Sequence, residues 1–521
     1  MANEISRRSF VQSVAGGLAA AGLADGMSIQ QLQGQAAEAG LNILFLMTDQ
    51  HHAGVLGCAG NEIVQTPNID RLAREGVMFN NAVCATPFCS PTRASLINGL
   101  WPHQHGIIHN VKHRTPGLTD GGTITENMLF DRDYRIGHRG KWHLGLYEDL
   151  RCYRDDKPEG QCAGMLLEEH CPKADWPVKE GEPRYHFRPV VMQDFMFEAH
   201  QTWNSFDKIP QQDLSIIGRS VIPREAQPEA WFTNQILGLM DKYQDDPFLL
   251  TWSVSPPHAF WVCPDPYYSM YDPEQFELPT NIGDEPDIYT NSVGGRLASL
   301  IGEEGIREYL RCYYGQVTMM DWYVGQLLDR LDDLGLAERT LVVFTSDHGD
   351  MNGGHGMLTK SVPAMYEETT RVPMIFRLLG VVPEGQTTDV HMNSVDMMPT
   401  MLDYVGVEPP SDIAGESMRP FIEGKKDDGR PGFSERTGLN YNWIQRMIRK
   451  RGWKYVYNSN WPSELFNLRK DPGETNNLYA SKSARKKRNA LHRELRDWMA
   501  STDDGGLEKM PETPPDAETA Q

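Results

Sequence analysis

The order of apolar and polar positions divides the chain into buried strands alternating with amphipathic helices. Leu41-Asn42-Ile43-Leu44-Phe45-Leu46-Met47 is mostly apolar, as expected of a strand covered on both faces, and Thr48-Asp49-Gln50 follows at its carboxyl end. Thr66 to Gly76 has a helix start signal, helical spacing and a closing glycine, and Val77-Met78-Phe79 then returns as a strand. Tyr134-Arg135-Ile136-Gly137 and Pro247 to Val254 read as further strands, leading into Gly140-Lys141-Trp142-His143 and into Pro256-Pro257-His258. From Gly305 to Leu334, apolar residues at 310, 314, 317, 320, 324, 327, 328 and 331 form a helical stripe that predicts core packing. That helix hands over to Leu341-Val342-Val343-Phe344-Thr345-Ser346, a second buried strand ending in Asp347-His348-Gly349.

Strand and helix in alternation predict an α/β fold, a large, mostly parallel mixed sheet sandwiched by helices. Gly424 to Pro431 reads as a linker to a smaller C-terminal α+β subdomain. There, Trp453 to Tyr457 and Glu464 to Leu468 look like strands, and Ala484 to Ala500 looks like a closing helix. The acidic, proline-containing end from Asp503 to Gln521 predicts disorder. The expected organisation is a signal over 1–38, a catalytic domain over 39–425, the subdomain over 426–502 and a tail over 503–521.

Composition narrows the function classes. The chain has 521 residues, a formal charge of −21 and a pI near 5.2, which argues against a nucleic-acid or anionic-membrane binder. An anionic ligand therefore requires a local basic pocket. At the N-terminus, Ser6-Arg7-Arg8-Ser9-Phe10 precedes a weakly apolar run from Val14 to Leu23 that is too short to span a bilayer. The order of basic, apolar and small residues resembles a twin-arginine export signal and predicts an exported protein, periplasmic or extracellular, with no transmembrane span. Eight cysteines occur without any CxxC pair, so a zinc site is disfavoured, and Cys152, Cys162 and Cys171 are candidates for a disulfide after export.

The densest chemistry lies at Cys89-Ser90-Pro91-Thr92-Arg93, followed by Ala94-Ser95-Leu96-Ile97-Asn98-Gly99. Pro91 suits a first helical turn and Gly99 a helix end, which puts Cys89 at a helix N-terminus, where unpaired N–H groups and the dipole favour an anion. Asp49 and Asp347-His348 each follow a buried strand, which predicts convergence at one sheet edge. Oxygen ligands there suit a hard cation, Ca²⁺ first and Mg²⁺ as the alternative.

Cys-x-Pro-x-Arg with the trailing Ala-Ser-Leu-x-x-Gly resembles the signature of type I sulfatases in the alkaline phosphatase superfamily. Cys84 lacks the correctly placed proline and arginine. The resemblance implies that Cys89 is oxidised to formylglycine by a formylglycine-generating enzyme and that its hydrate attacks a sulfate ester. It implies metal ligation by Asp49, Gln50, Asp347, His348 and the modified Cys89. Gln50 stands where many sulfatases carry Asp, and His348 where many carry Asn. Arg93, Lys141, His143, His258 and Lys360 match the anion-pocket positions, and Asn110 a polar contact to sulfate. In similar enzymes the hydrate's hydroxyl attacks sulfur, His258 serves as acid for the leaving oxygen, and His143 takes the proton that releases the covalent sulfate.

Two other readings stand beside a sulfatase. A phosphonate monoester or phosphodiester hydrolase of the same superfamily shares the modified cysteine and an Asp-Gln plus Asp-His set, but usually carries uncharged hydroxyl side chains in place of Lys141 and His143. A non-catalytic protein that binds sulfated glycans would be expected to have lost its nucleophile or metal ligands. Between Leu150 and Pro228, Trp176, Arg184, Tyr185, His186, Phe187, Arg188 and Trp203 suggest either a pocket wall for a sulfated carbohydrate or a loop fastened to the core.

Overall fold

The computed structural model describes residues 40–111, 117–118, 124–145, 187–188, 217–220, 222–279, 289, 291–360, 364–438 and 441–515. The segment expected to be an export signal, the three candidate disulfide cysteines and the aromatic residues named between 150 and 228 lie outside these residues, apart from the backbone of Phe187 and Arg188.

Fourteen strands are numbered in chain order. The first is β1 (Asn42–Asp49), the apolar run after the N-terminal segment, and every residue in it is buried. Its alternation assigns it to two cores at once. Leu44 and Leu46 join one apolar cluster, while Ile43, Phe45 and Met47 join another on the opposite face. Beside it run β6 (Phe248–Pro257) and β8 (Thr340–Ser346), both parallel to it, with Met47 opposite Ser253 and Thr48 opposite Ser346. With β2 (Val77–Val83), β3 (Arg135–Gly140), β9 (Met374–Arg377) and β10 (Gln386–Asn393) they form a seven-stranded sheet of order β10-β2-β9-β8-β1-β6-β3. Only β9 runs antiparallel, against both β2 and β8. The large, mostly parallel mixed sheet expected from sequence is therefore present.

Helices cover both faces. On the Leu44 face lie α3 (Pro228–Lys242) and α4 (Val293–Asp333), and all eight stripe positions expected between Gly305 and Leu334 belong to that core. Helix α4 begins a dozen residues earlier than expected because Ser292 caps Gly295 N–H (3.0 Å), and its early part bends at Gly302. The other face carries α2 (Cys89–Asn98) and α5 (Met397–Tyr404). Helix α1 (Pro67–Arg74) lies between β1 and β2 in sequence and packs Ile69 and Leu72 into the first core.

A second sheet, four-stranded and antiparallel, has the order β11 (Gly432–Thr437), β12 (Ile444–Lys450), β13 (Trp453–Asn458), β14 (Glu464–Asn467), and α6 (Arg485–Ser501) closes it. The sequence pattern showed β13, β14 and α6 but not β11 or β12. Those two carry Glu435, Arg436, Arg446 and Arg449, which read as solvent-facing although all four are buried. A small third sheet joins β4 (Phe187–Arg188), β5 (Ile217–Ser220) and β7 (Trp261–Cys263).

The tail is corrected in part. Residues 503–515 pack onto the subdomain instead of being disordered, because Asp504 forms a fully buried bidentate pair with Arg446 (2.6 and 2.9 Å) and Met510 is buried. Residues 516–521 are outside the described set. Among the described residues no helix is long and apolar enough to cross a membrane, and Cys58, Cys84, Cys89, Cys263 and Cys312 are free thiols.

Removing one partner of the buried Arg446–Asp504 pair leaves an uncompensated charge, so Asp504→Ala should cost about 3–5 kcal/mol in unfolding free energy, measured by denaturant titration. A pH effect is expected nearby. Burial alone would pull the His103 pKa down, but Glu435 at 2.5 Å outweighs it and holds the folded-state pKa up. Stability from this pair is full below the unfolded value of about 6.5 and is lost as pH rises through the folded value. Melting temperatures taken across that range should fall in the wild type and fall less in His103→Gln.

Candidate active site

The site forms at the carboxyl ends of β1, β3, β6 and β8. Register alone brings Asp49 beside Asp347, since each follows one of a pair of adjacent parallel strands. Gly349 lets the second turn close, because a Cβ there would lie 1.9 Å from the Glu368 carbonyl. Gly140 does the same for Lys141: its φ is +103°, a Cβ would lie 1.8 Å from the Ser253 carbonyl, and Lys141 N–H donates to that carbonyl at 2.7 Å.

Cys89 begins α2, as the motif predicted, with Phe88 in extended conformation before it and Gly99 in the left-handed conformation at the far end. Its Sγ lies 3.2 Å from His348 Nε2, 3.7 Å from Asp49 Oδ1 and 3.8 Å from Lys360 Nζ. Burial and Asp49 would push this thiol up, yet Lys141, Lys360 and His348 together hold it well below its usual range. The surroundings of position 89 therefore stabilise negative charge.

Arg93 is buried at 2% exposure and does not end on the sulfur. Its Nε donates to Asp347 Oδ2 (2.8 Å), its Nη1 to the Lys141 carbonyl and to Ser253 Oγ (2.8 Å each), and its Nη2 lies 3.7 Å from Asp49 Oδ2. It thus holds the two carboxylates and the Lys141 loop in one geometry. Lys141 Nζ pairs directly with Asp49 Oδ2, and that bond keeps the ammonium charged against burial.

Asp49, Cys89, Asp347 and His348 each offer a ligand atom, all within 4.8 Å of one another, and all four residues are buried. His348 Nδ1 donates to the Gly349 carbonyl (2.9 Å), so the Nε2 lone pair faces the carboxylates. Burial and the charge of Asp49 push Asp347 up, while Lys141, Arg93 and two histidines hold Asp49 down against its own burial. Two carboxylates and an imidazole lone pair in a dry pocket fit a divalent cation. Gln50 is adjacent, but its carboxamide is engaged elsewhere: Nε2 donates to Asp350 Oδ2 (2.6 Å) and Oε1 accepts from Lys360 Nζ (3.4 Å).

Lys360 Nζ lies 3.0 Å from His258 Nε2, and His258 Nδ1 lies 3.1 Å from the Ala259 carbonyl. Burial, then Lys360, pushes His258 down to about 3, which suits its Nε2 to accept the hydrogen bond from Lys360 Nζ. His143 has a positive φ of 60°, its carbonyl accepts from Ser90 Oγ (2.6 Å), and its buried Nδ1 has no hydrogen-bond partner among the described residues. Asn110 Oδ1 accepts from Ser90 N–H (3.1 Å), which places it at the N-terminus of α2 beside Cys89.

Three contributors escaped the sequence reading. Asp350, buried, orients Gln50, and its place two residues past His348 could have suggested it. Ser253 ties Arg93 to β6, and Tyr313 on α4 donates to the Gln50 carbonyl (2.5 Å). Neither carries a motif signal.

Residues 41–407 match the family model described as Sulfatase. The chain belongs to the sulfatase family. A second family model, N-sulphoglucosamine sulphohydrolase, C-terminal, matches residues 353–501 of this sulfatase. The chain is 26% identical to N-acetylglucosamine-6-O-sulfatase of Bacteroides thetaiotaomicron, over 86% of this chain and 84% of that one. Among solved structures, a protein in complex with its substrate D-glucosamine-2-N,6-O-disulfate superposes with a TM-score of 0.69 at 20% identity, covering 91% and 100%. The phosphonate monoester hydrolase of Silicibacter pomeroyi superposes at 0.72 and 22%, covering 90% and 96%. Those two likenesses establish the alkaline phosphatase-like fold and do not separate sulfate from phosphonate.

Arg93→Met should leave the paired carboxylates without their bridging cation and cost about 3–5 kcal/mol. Added Ca²⁺ should raise the melting temperature of this variant more than that of the wild type, as read by thermal unfolding with and without chelator.

Proposed function

We propose that this sulfatase hydrolyses the sulfate ester of a sulfated carbohydrate outside the cytoplasm, in the periplasm or beyond the cell. The observation that carries the chemistry is the grouping of Lys141, Lys360 and His258 around Cys89 at the N-terminus of α2, beside the two carboxylates. The names of the B. thetaiotaomicron relative and of the disulfated glucosamine complex support a sugar as the carrier.

Formylglycine at position 89 would supply a hydrated aldehyde hydroxyl as nucleophile, and a divalent cation, Ca²⁺ in this reading, would supply charge neutralisation there. Asp49, Asp347 and His348 would hold that cation, with position 89 as a further ligand. Gln50 is the weakest of the proposed ligands, because its side chain is committed to Asp350 and Lys360. Arg93 positions the carboxylates. Lys141 and Lys360 face the sulfuryl oxygens and offset their charge as the ester bond breaks. The leaving oxygen takes its proton from the hydrogen-bonded Lys360–His258 pair. His143, its Nδ1 unpartnered, takes the proton that frees the covalent sulfate, and Asn110 contacts a sulfate oxygen.

The rival reading as a phosphonate monoester or phosphodiester hydrolase shares the fold and the Asp-Gln plus Asp-His set. Lys141 favours sulfate, since an ammonium ion bound to Asp49 occupies a position where the phosphonate enzymes usually carry uncharged hydroxyl groups.

The test is a comparison of kcat/KM for 4-nitrophenyl sulfate, a phenyl phosphonate monoester and a phosphodiester. Sulfate should be the preferred substrate, and Lys141→Ala should lower its turnover by roughly 10²- to 10³-fold. A peptide covering residues 84–93 should carry the formylglycine mass, and active enzyme with only the thiol would refute the nucleophile. Elemental analysis should find one divalent ion per chain, and chelation should abolish turnover.

A further inference from the structure

Strand β11 reaches the active site from the C-terminal subdomain. Glu435 N–H and Ser434 Oγ both bond the Ala85 carbonyl (2.8 and 3.3 Å), which fixes β11 against the segment leading into Cys89. Side chains alternate along a strand. Glu435 turns to His103, so Arg436 turns the other way and lies over the Phe88 ring, its Cζ 4.1 Å from the ring centroid. The same half-buried ring has Lys360 Nζ 5.6 Å from its centroid, and that nitrogen is 3.8 Å from Cys89 Sγ.

Arg436 is 6% exposed, and its Nε and Nη1 have no hydrogen-bond partner among the described residues. Among the described residues no carboxylate forms an ion pair with it. Burial pulls its pKa down to about 9, which leaves it a cation at neutral pH, and its charge in turn helps hold the partly buried His109 below its usual value. The His109 Nε2 atom is likewise buried without a hydrogen-bond partner among the described residues. A buried, unpaired guanidinium is destabilising unless something else meets its charge. Every other fully or nearly fully buried cation of the site has a carboxylate within the protein, as Arg93 and Lys141 do.

The geometry points to Arg436, with His109 beside it, as the recognition site for a second anionic group of the substrate, a carboxylate or a further sulfate next to the ester being cleaved. This rests on the sulfatase reading. The ester undergoing cleavage carries one negative charge and already faces Lys141 and Lys360, so an added cation from another subdomain suits a more highly charged substrate. Arg is also the side chain whose planar fork matches a carboxylate or sulfate with two parallel bonds.

The test uses 4-nitrophenyl sulfate and the same ester bearing a carboxylate or a second sulfate at the meta position. Wild-type enzyme should show a KM roughly 10- to 100-fold lower for at least one doubly anionic ester than for the parent, and the ester preferred names the anion. Arg436→Met should bring that ratio close to one through KM rather than kcat, and Arg436→Lys should restore part of it. The melting temperature of Arg436→Met should equal or exceed that of the wild type, because it removes an unpaired charge. Equal KM values in the wild type, or a ratio that survives Arg436→Met, would overturn the proposal. So would a variant unable to fold without the guanidinium, which would make its role structural. Turnover of none of the three esters by formylglycine-bearing protein would instead sink the sulfatase reading itself.

Discussion

Two carboxylates forced together in a dry place are the constraint on which this molecule is built. Asp49 and Asp347 end adjacent parallel strands whose register leaves them no freedom to separate, and both are fully buried. Like charges at that spacing, out of water, need compensation worth several kcal/mol. The chain supplies it from three separate segments: Arg93 from α2, Lys141 from the end of β3, and His348 from the turn after β8. Cys89 lies where these segments meet, so folding of the sheet also assembles the candidate site.

The C-terminal subdomain is joined to that event and is more than an appendage. Trp101, a few residues beyond α2, packs edge-on against Trp498 of α6 with centroids 5.0 Å apart and also meets Phe433 of β11. His103 bonds Glu435, and β11 bonds Ala85. Both ends of α2 are therefore anchored to the second sheet, which explains how a residue of that sheet comes to lie beside the segment leading into Cys89.

Much of this was legible in the sequence because it depends on local signals. Apolar runs ending in Asp49 and Asp347 gave the sheet edge, and the Cys89 motif with Pro91 and Gly99 gave the helix and its N-terminal residue. What escaped depends on long-range pairing. Strand β12 reads Ile-Gln-Arg-Met-Ile-Arg-Lys, and its charges look solvated until Asp504, from a segment taken for a disordered tail, is seen to neutralise Arg446. Arg93 sits one helical turn from Cys89, within reach of its side chain. Instead, the two carboxylates attract the guanidinium more strongly than the sulfur does. Position in sequence gives what a side chain can reach, and the charges around it decide where it goes.

Gln50 shows the same logic at the position where this chain departs from many sulfatases. Its amide donates to Asp350 at 2.6 Å while its carbonyl oxygen accepts from Lys360, so it bridges an acid to a cation without adding charge. An aspartate there would face Asp350 as a second acceptor with no proton between them, in a pocket that already raises Asp350 through burial. Glutamine at position 50 and aspartate at 350 are thus a matched pair. The negative charge beside Gln50 is carried by Asp350, which Tyr309 and the Asn352 N–H share. The group of Asp49, Cys89, Asp347 and His348 thus contains two carboxylates and one imidazole. Were a divalent cation held there, two carboxylates would offset less of its charge than three would.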